Sequence, residues 1–261
     1  MSDLNSELLI ESAPPVLRLT INRPHRRNAF TSPLLLEMAN AVREAAKDER
    51  LRVIVITGSG DKAFCAGADL TPGDTPFKPD AAMLESPMGV LARAVRDCRL
   101  PIVGRINGLC LAGGMGLFGL CDIAVATEES KFGMPEVKIG LFPMQILPML
   151  RDLIPPRLMN EMCMTGKPID SQTAMAAGLL NRVVPADQLD RTVEAIVADL
   201  VAASPMAIRR GKYAMHAVEG MNFEQAMAFT ETARAPMIQT EDAKEGRAAF
   251  NEKRPPKWTG R

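Results

Sequence analysis

The run V-I-V-I-T at positions 53–57 constrains the fold more than any other stretch of this chain. Successive side chains on a strand point to opposite faces, so an unbroken β-branched run places apolar groups on both. Such a strand needs cover on both sides, and the neighbouring segments can supply it. V-L-R-L-T-I at 16–21 alternates apolar and polar residues and predicts a second strand. Asn22-Arg23-Pro24 ends it, because proline removes a donor and biases the residue before it away from helix. Ser32-Pro33 predicts an N-cap and first helical position for a helix reaching about residue 47. A turn at 58–61 and an apolar-to-glycine transition at 64–70 follow, then a loop at 71–80 with three prolines, a candidate for closing over a substrate. A helix is predicted over 83–99 and strands over 102–106 and 122–127. Between those strands come an Asn107-Gly108 turn and a glycine-rich helix starting near Gly113. Beyond Ala174 nearly every segment suits helix: 171–177, 189–203, 205–218, 223–234 and 241–253. Strand–helix alternation followed by helices predicts an α/β fold with a helical C-terminal section.

Composition then removes whole classes of function. Lysine plus arginine and aspartate plus glutamate both total 31, so the formal net charge is zero and no basic surface for nucleic acid is expected. Aromatic residues are 4% of the 261, too few for a base-stacking platform. The only histidines, His25 and His216, lie far apart in sequence, so no local histidine metal site is expected; His216 reads as a structural or surface residue on its helix. Five cysteines without C-x-x-C spacing read as reduced, mostly buried thiols, which suggests the cytoplasm. The acidic N-terminus does not resemble a signal peptide, and no apolar run reaches 18 residues, so no membrane association is expected.

Three constellations could carry chemistry. K-A-F-C-A-G-A-D-L at 62–70 sets a glycine at a corner where the backbone could approach a ligand closely; a plain connecting loop would read the same way. N-G-L-C-L-A-G-G-M-G-L-F-G at 107–119 opens a helix whose first N–H groups have no intrahelical partner. Two such corners aiming one N–H each at a common point would make an oxyanion hole. Gly114 to Gly119 literally matches G-x-G-x-x-G, but seven residues separate it from the preceding strand; helix packing explains these glycines better than a dinucleotide. F-G-M-P-E-V-K-I-G-L at 132–141 surrounds Glu136 with apolar residues, which favours a raised pKa and a proton-shuttling role, although a turn carboxylate would look alike.

Five segments stand in one order: N-R-P-x-x-x-N-A at 22–29, F-C-A-G-A-D-L at 64–70, N-G-x-x-x-x-G-G at 107–114, C-D at 121–122 and F-G-x-P-E-x-x-x-G at 132–140. Together they resemble the enoyl-CoA hydratase/isomerase (crotonase) superfamily, and the likeness runs from about Val16 through T-E-D-A-K-E-G-x-x-A-F-x-E-K-R near the C-terminus. The resemblance implies a spiral of ββα repeats, with an acyl-CoA-binding core over 1–200 and a helical region at 201–261 that forms trimers or dimers of trimers. It implies acyl-CoA thioester substrates, coenzyme A entering only as part of the substrate, and no separate cofactor. Oxyanion donors would be the backbone N–H groups of Ala68 and Gly113, with Glu136 catalytic. CoA contacts would fall on His25, Arg26, Arg27, Ala66 and Leu70, and on Phe250 and Lys253, often across a subunit boundary. Arg26 and Arg27 suit phosphates physically, as permanent cations with forked donors.

One departure from the family pattern bears on the reaction. Hydratases of this family use two glutamates, and the second falls here on Gly116. One carboxylate suffices to move a proton from C2 to C4 while an oxyanion hole holds the dienolate, so double-bond isomerisation is favoured. Hydration or hydratase-lyase chemistry by the same glutamate, with water filling the space at Gly116, stays open, as does another thioester reaction. A non-catalytic acyl-CoA-binding protein is the reading from a different class. Met83, Met88, Met115, Met134, Met144 and Met149 are candidates for a pliable acyl pocket, or for ordinary core. Leu141-Phe142-Pro143 replaces the small, glycine-containing segment that often follows the family's glutamate.

Overall fold

Strand 53–58 does have cover on both faces. Val53 and Val55 meet Leu189, Val193 and Val197 of a helix, while Ile54 and Ile56 enter the main core. Burying each such side chain stabilises the fold by roughly 1.5–3 kcal/mol, so this strand anchors both layers at once. The computed structural model describes residues 6–71 and 84–261.

The elements in chain order are β1 (Leu8–Ala13), β2 (Val16–Ile21), α1 (Ser32–Ala45), β3 (Val53–Gly58), β4 (Ala63–Cys65), α2 (Pro87–Asp97), β5 (Ile102–Ile106), β6 (Leu109–Leu111), α3 (Gly113–Gly119), β7 (Ile123–Thr127) and β8 (Lys131–Gly133). A 3-10 turn (Pro135–Ile139) leads to α4 (Leu147–Leu150), α5 (Pro156–Thr165), β9 (Ile169–Asp170), α6 (Ser171–Ala176) and β10 (Arg182–Val184). The helices α7 (Leu189–Ala202), α8 (Pro205–Val218), α9 (Phe223–Ile238) and α10 (Glu241–Glu252) close the chain.

Two sheets result. One has the order β1-β2-β3-β5-β7-β10, with every pair parallel except β1–β2. The other has the order β4-β6-β8-β9, in which β4, β6 and β8 are parallel. Each repeat gives its first strand to the large sheet and its second to the small one: β3 then β4, β5 then β6, β7 then β8. Helices α2 and α3 carry the chain back, so the ββα repeats wind as the spiral that the family resemblance implied.

The three-residue strands β4, β6 and β8 were not separable by sequence pattern; β4 runs into the transition at 64–70, β6 follows the turn at 107–108, and β8 opens the segment around 132. The expected cap at Ser32 shifts by one residue. Thr31 is the N-cap, extended and accepting from Leu34 N–H, so Ser32 is the first helical residue and Pro33 the second. Helix α2 is shorter than 83–99 because Ser86 caps it and Cys98 is already extended. Residue 83 and most of the loop at 71–80 lie outside the described residues.

Two asparagines tie the repeats together. Asn28 Nδ2 donates to Ser59 O (2.9 Å) and Ala63 O (2.7 Å), and its Oδ1 accepts from Arg23 N. Asn107 Nδ2 donates to Gly58 O (2.8 Å) and Gly60 O (2.6 Å), holding the β5–β6 turn against the β3–β4 turn. The cysteines carry no disulfide; Cys121 is half-buried and the other four are buried. No described helix is long and apolar enough to cross a membrane.

The helical C-terminal section is fixed to the sheet through Lys212 on α8. Its Nζ donates to Asp122 Oδ2 (2.6 Å) and Leu100 O (2.9 Å), and Asp122 Oδ2 also accepts from Ile102 N (2.7 Å). Lys212 is buried, so truncating it leaves a partly buried carboxylate without its cation. Lys212→Met is expected to cost about 2 kcal/mol. Urea unfolding reads this directly, and hydrogen exchange should show α8 losing protection before β3.

Candidate active site

Three neighbouring parallel strands deliver the candidate residues. β4, β6 and β8 lie side by side, with Cys65 opposite Cys110 and Leu111 opposite Gly133. Parallel strands end on the same side and stand about 4.8 Å apart. The segments Ala66–Ala68, Ala112–Gly113 and Met134–Glu136 therefore leave one edge as adjacent chains. Ala112 N donates to Gly133 O (2.8 Å), extending the ladder one step past β6.

The backbone around Ala68 leaves its N–H free. Phe30 forms a parallel bridge to Ala68: Phe30 N donates to Gly67 O and Asp69 N donates to Phe30 O, both at 2.9 Å. That pattern uses the residues on either side of Ala68 and turns its own N–H away from Phe30. Among the described residues neither this N–H nor that of Gly113, the first residue of α3, has a hydrogen-bond partner. The two corners are in contact. A β-carbon on Gly67 would lie 2.8 Å from Ala112 Cβ and 3.1 Å from Gly113 N, and Gly67 has φ +100°, so only glycine fits there. Ala112 itself has φ 49° and ψ −127°, a conformation costing a non-glycine residue roughly 1–3 kcal/mol.

A buried ion pair holds the Ala68 corner. Arg23 Nη2 donates to Asp69 Oδ2 (2.7 Å) and its Nη1 to Ala29 O (2.6 Å). Its Nε stands 2.8 Å from Glu7 Oε1 at an angle that makes no hydrogen bond. Thr71, donating to Asp69 through N and Oγ1, and then Arg23 hold the Asp69 carboxyl well below the usual carboxylate range. Arg23, Asn28 and Asp69 lay inside the quoted sequence motifs, yet their role as a clamp needed coordinates. Phe30 was likewise missed: its ring packs under Gly113, where a β-carbon would come 2.5 Å from Phe30 Cζ.

Glu136 is the second residue of the 3-10 turn after β8. It is half-buried, and its Oε2 is shielded from solvent with no hydrogen-bond partner among the described residues. Burial pushes its carboxyl above the ordinary glutamate value, only partly opposed by its own backbone N–H. The environment contains sulfur rather than donors: Cys163 Sγ stands 3.7 Å from both Met134 Sδ and Met159 Sδ. Burial and then the Glu136 charge raise the Cys163 thiol pKa. Buried Cys65, pushed up to about 12, is no nucleophile at neutral pH.

The space at Gly116 is not available to water. A β-carbon on Gly116 would lie 2.5 Å from Ile146 Cγ2 and 3.5 Å from Met149 Sδ. The expectation of a water filling this position is corrected: Ile146, 3% exposed, fills it with hydrocarbon. Nothing in the sequence pointed to Ile146, which reaches Gly116 from the start of α4. Glycines 114, 116 and 119 all face close neighbours in Cys65, Ile146 and Leu150, the packing role preferred over a dinucleotide fingerprint.

The basic segment joins the same rim. Ala66 N donates to Arg27 O (3.0 Å), which puts His25, Arg26 and Arg27, all exposed, beside Ala66 and the exposed Leu70. Phe250 and Lys253 sit elsewhere, exposed at the end of α10, which packs on α8 and α9. The methionines do not gather into one pocket. Met88, Met115 and Met134 are buried core, Met144 is exposed, Met83 lies outside the described residues, and only Met149 borders Gly116. Met149 and His216 also line a separate cleft of about 620 Å³ between α2, α4 and α8.

Comparison with known proteins agrees with this geometry. The family model "Enoyl-CoA hydratase/isomerase" matches residues 11–261. Carnitinyl-CoA dehydratases of Citrobacter koseri and Salmonella typhi are each 33% identical over 253 residues, covering 95% of this chain and 96% of theirs. Among solved structures, an enoyl-CoA hydratase of Mycobacterium smegmatis superposes with a TM-score of 0.90 at 32% identity, covering 97% of this chain and 99% of that one. An enoyl-CoA hydratase of Bacillus anthracis gives 0.89 at 28% identity, covering 98% and 100%. With the repeats, the ordered motifs and a family match across nearly the whole length, the chain belongs to the enoyl-CoA hydratase/isomerase family.

Proposed function

We propose that this protein shifts the double bond of an enoyl-CoA thioester, with Glu136 as its one proton-carrying residue. The observation that carries this reading is Ile146, whose methyl group occupies the place a second carboxylate would need. The thioester oxygen would accept from the N–H groups of Ala68 and Gly113, which have no partner among the described residues. Glu136 takes a proton from C2, the negative charge spreads to the thioester oxygen as a dienolate, and the same carboxyl returns the proton at C4. The double bond moves from C3=C4 to C2=C3 and no water is consumed. A carboxyl with a raised pKa suits both halves, because it is a stronger base when charged and is regenerated by giving the proton back. Each oxyanion donor of this kind contributes roughly 2.7–4 kcal/mol to the transition state. Arg26 and Arg27 would meet the CoA phosphates, and Ala66 and Leu70 would flank the adenine. Coenzyme A enters with the substrate, and the scheme calls on no other cofactor.

A second reading is favoured by the relatives, which are named dehydratases and hydratases. Here Glu136 takes the C2 proton and passes it to a departing C3 hydroxyl, releasing water, or runs the same steps backwards. Oxygen-18 incorporation from water into a 3-hydroxyacyl product separates the two readings. A non-catalytic binder would show no exchange of the C2 proton in deuterium oxide.

The assembly proposed is a homotrimer or a pair of trimers. Tyr213, Met215, Phe223 and Phe250 all expose large apolar side chains on α8 to α10, and Phe250 and Lys253 would then reach a neighbour's CoA. Analytical ultracentrifugation should return a trimer or hexamer mass; a monomer overturns this assignment.

Glu136→Gln should lower kcat for 3-enoyl-CoA about 10²–10⁴-fold, and undiminished turnover would sink the proposal. The same variant should be more stable than the parent at pH 8. A raised folded-state pKa gives stability that is full below the ordinary glutamate value and lost as pH rises through the folded value. The difference in melting temperature should therefore close as pH falls below about 4.3. Gly116→Glu alone should be poorly tolerated because it strikes Ile146. Gly116→Glu with Ile146→Ala should restore the fold and raise hydration relative to isomerisation, read as the ratio of 3-hydroxyacyl to 2-enoyl product.

A further inference from the structure

Phe30 meets both candidate oxyanion donors, one with its backbone and one with its ring. Its N–H donates to Gly67 O and its C=O accepts from Asp69 N, both at 2.9 Å, so its backbone brackets Ala68. A peptide unit is planar and trans, with its N–H pointing away from its C=O. Gly67 O points to Phe30, so the Ala68 N–H of the same unit points the opposite way. The Gly113 N–H is aimed by the same rule. Ala112 O accepts from Met115 N (2.9 Å), which turns the N–H of that unit away from the body of α3.

The ring reaches this second donor. A β-carbon on Gly113 would lie 2.5 Å from Phe30 Cζ, 2.8 Å from Phe30 Cε1 and 3.7 Å from Ala68 N. The ring edge therefore lies against the Gly113 α-carbon, with Ala68 N just beyond. The ring has little freedom to give way. The peptide that carries the Phe30 N–H is bound on both sides, by Arg23 Nη1 on Ala29 O (2.6 Å) and by Gly67 O. The next residue, Thr31, is the N-cap of α1. Phe30 is 4% exposed and belongs to the main core, so its ring can act on a reaction only through what it packs against. Close-packed interiors compress little and transmit such contacts.

We propose that Phe30 is a positioning residue that fixes the spacing of the Ala68 and Gly113 N–H groups, its backbone holding one donor and its ring the other. This role rests on the reading that those N–H groups receive the thioester oxygen, which the isomerase and dehydratase schemes share. Spacing matters because such donors act fully only at about 2.7–3.1 Å from the place the oxyanion takes in the transition state. Leucine or methionine at position 30 can keep both backbone hydrogen bonds. Either removes the rigid ring edge from Gly113, so the second donor drifts relative to the first.

Infrared spectroscopy of bound butyryl-CoA, labelled with carbon-13 at the thioester carbonyl, reads the donors without turnover, because a saturated chain has no double bond to move. In the parent the carbonyl stretch should fall to lower frequency on binding. Phe30→Leu and Phe30→Met should each lose a large part of that shift. Their kcat for enoyl-CoA should drop roughly 10²-fold with KM little changed, the split expected when the lost interaction belongs to the transition state. Phe118, buried in α3 against Phe132, is the packing control. Phe118→Leu should lower the melting temperature yet keep the full shift, and Glu136→Gln should keep the shift while losing turnover. No shift in the parent overturns the oxyanion reading and the role of Phe30 with it. A parent shift that Phe30→Leu and Phe30→Met retain, or that Phe118→Leu loses equally, overturns the role of Phe30 alone.

Discussion

Everything at the candidate site depends on the parallel pairing of three short strands. β4, β6 and β8 are three residues each, and a handful of ladder hydrogen bonds sets where Ala68, Gly113 and Glu136 emerge. Strands this short cannot hold their own register. They are held by their surroundings: Asn107 on two carbonyls of the β3–β4 turn, Asn28 on Ala63 O, and the buried Arg23–Asp69 pair on the segment after β4. The motif asparagines and the arginine thus act on the backbone, and the backbone positions the candidate groups.

The corner is built with little charge. Methionine and cysteine side chains of α5 pack against the turn that carries Glu136, and among the described residues Glu136 Oε2 has no donor to stabilise its charged form. This accounts for the raised Glu136 pKa and fits the sequence's lack of paired cysteines, histidine clusters and net charge. The basic residues His25, Arg26 and Arg27 beside Ala66 are exposed, so their charges stay solvated and the interior carries none of them.

The two edges of the large sheet differ in how their polar groups are satisfied. At the carboxyl end the buried charges Arg23 and Asp69 are matched to each other. At the amino end the buried Nε atoms of Arg99 and Arg209 have no acceptor among the described residues, beside the attachment of the C-terminal helices. Lys212 and Asp122 hold that attachment a short way along α8 with a satisfied pair. The helical section is joined to the core by this pair, by Arg52 on the carbonyls of Val201 and Ala203, and by Arg96 on Glu219 and His216 O.

Local chemistry made much of this legible from sequence. The β-branched run at 53–57 required cover on both faces, Pro205 and Val218 bounded α8 as read, and the ordered motifs gave the family and the candidate residues Ala68, Gly113 and Glu136. The strands β4, β6 and β8 were illegible because three residues carry no periodicity. Their existence is decided by the neighbours they pair with, not by their own side chains. The Gly116 position shows the same division. The sequence determined that no carboxylate stands there. Only the tertiary structure decided what does, because Ile146 lies thirty residues away and reaches Gly116 through the packing of α4 against α3. Absence of a side chain is a property of the chain; whether the vacated volume holds water or hydrocarbon is a property of the packing around it.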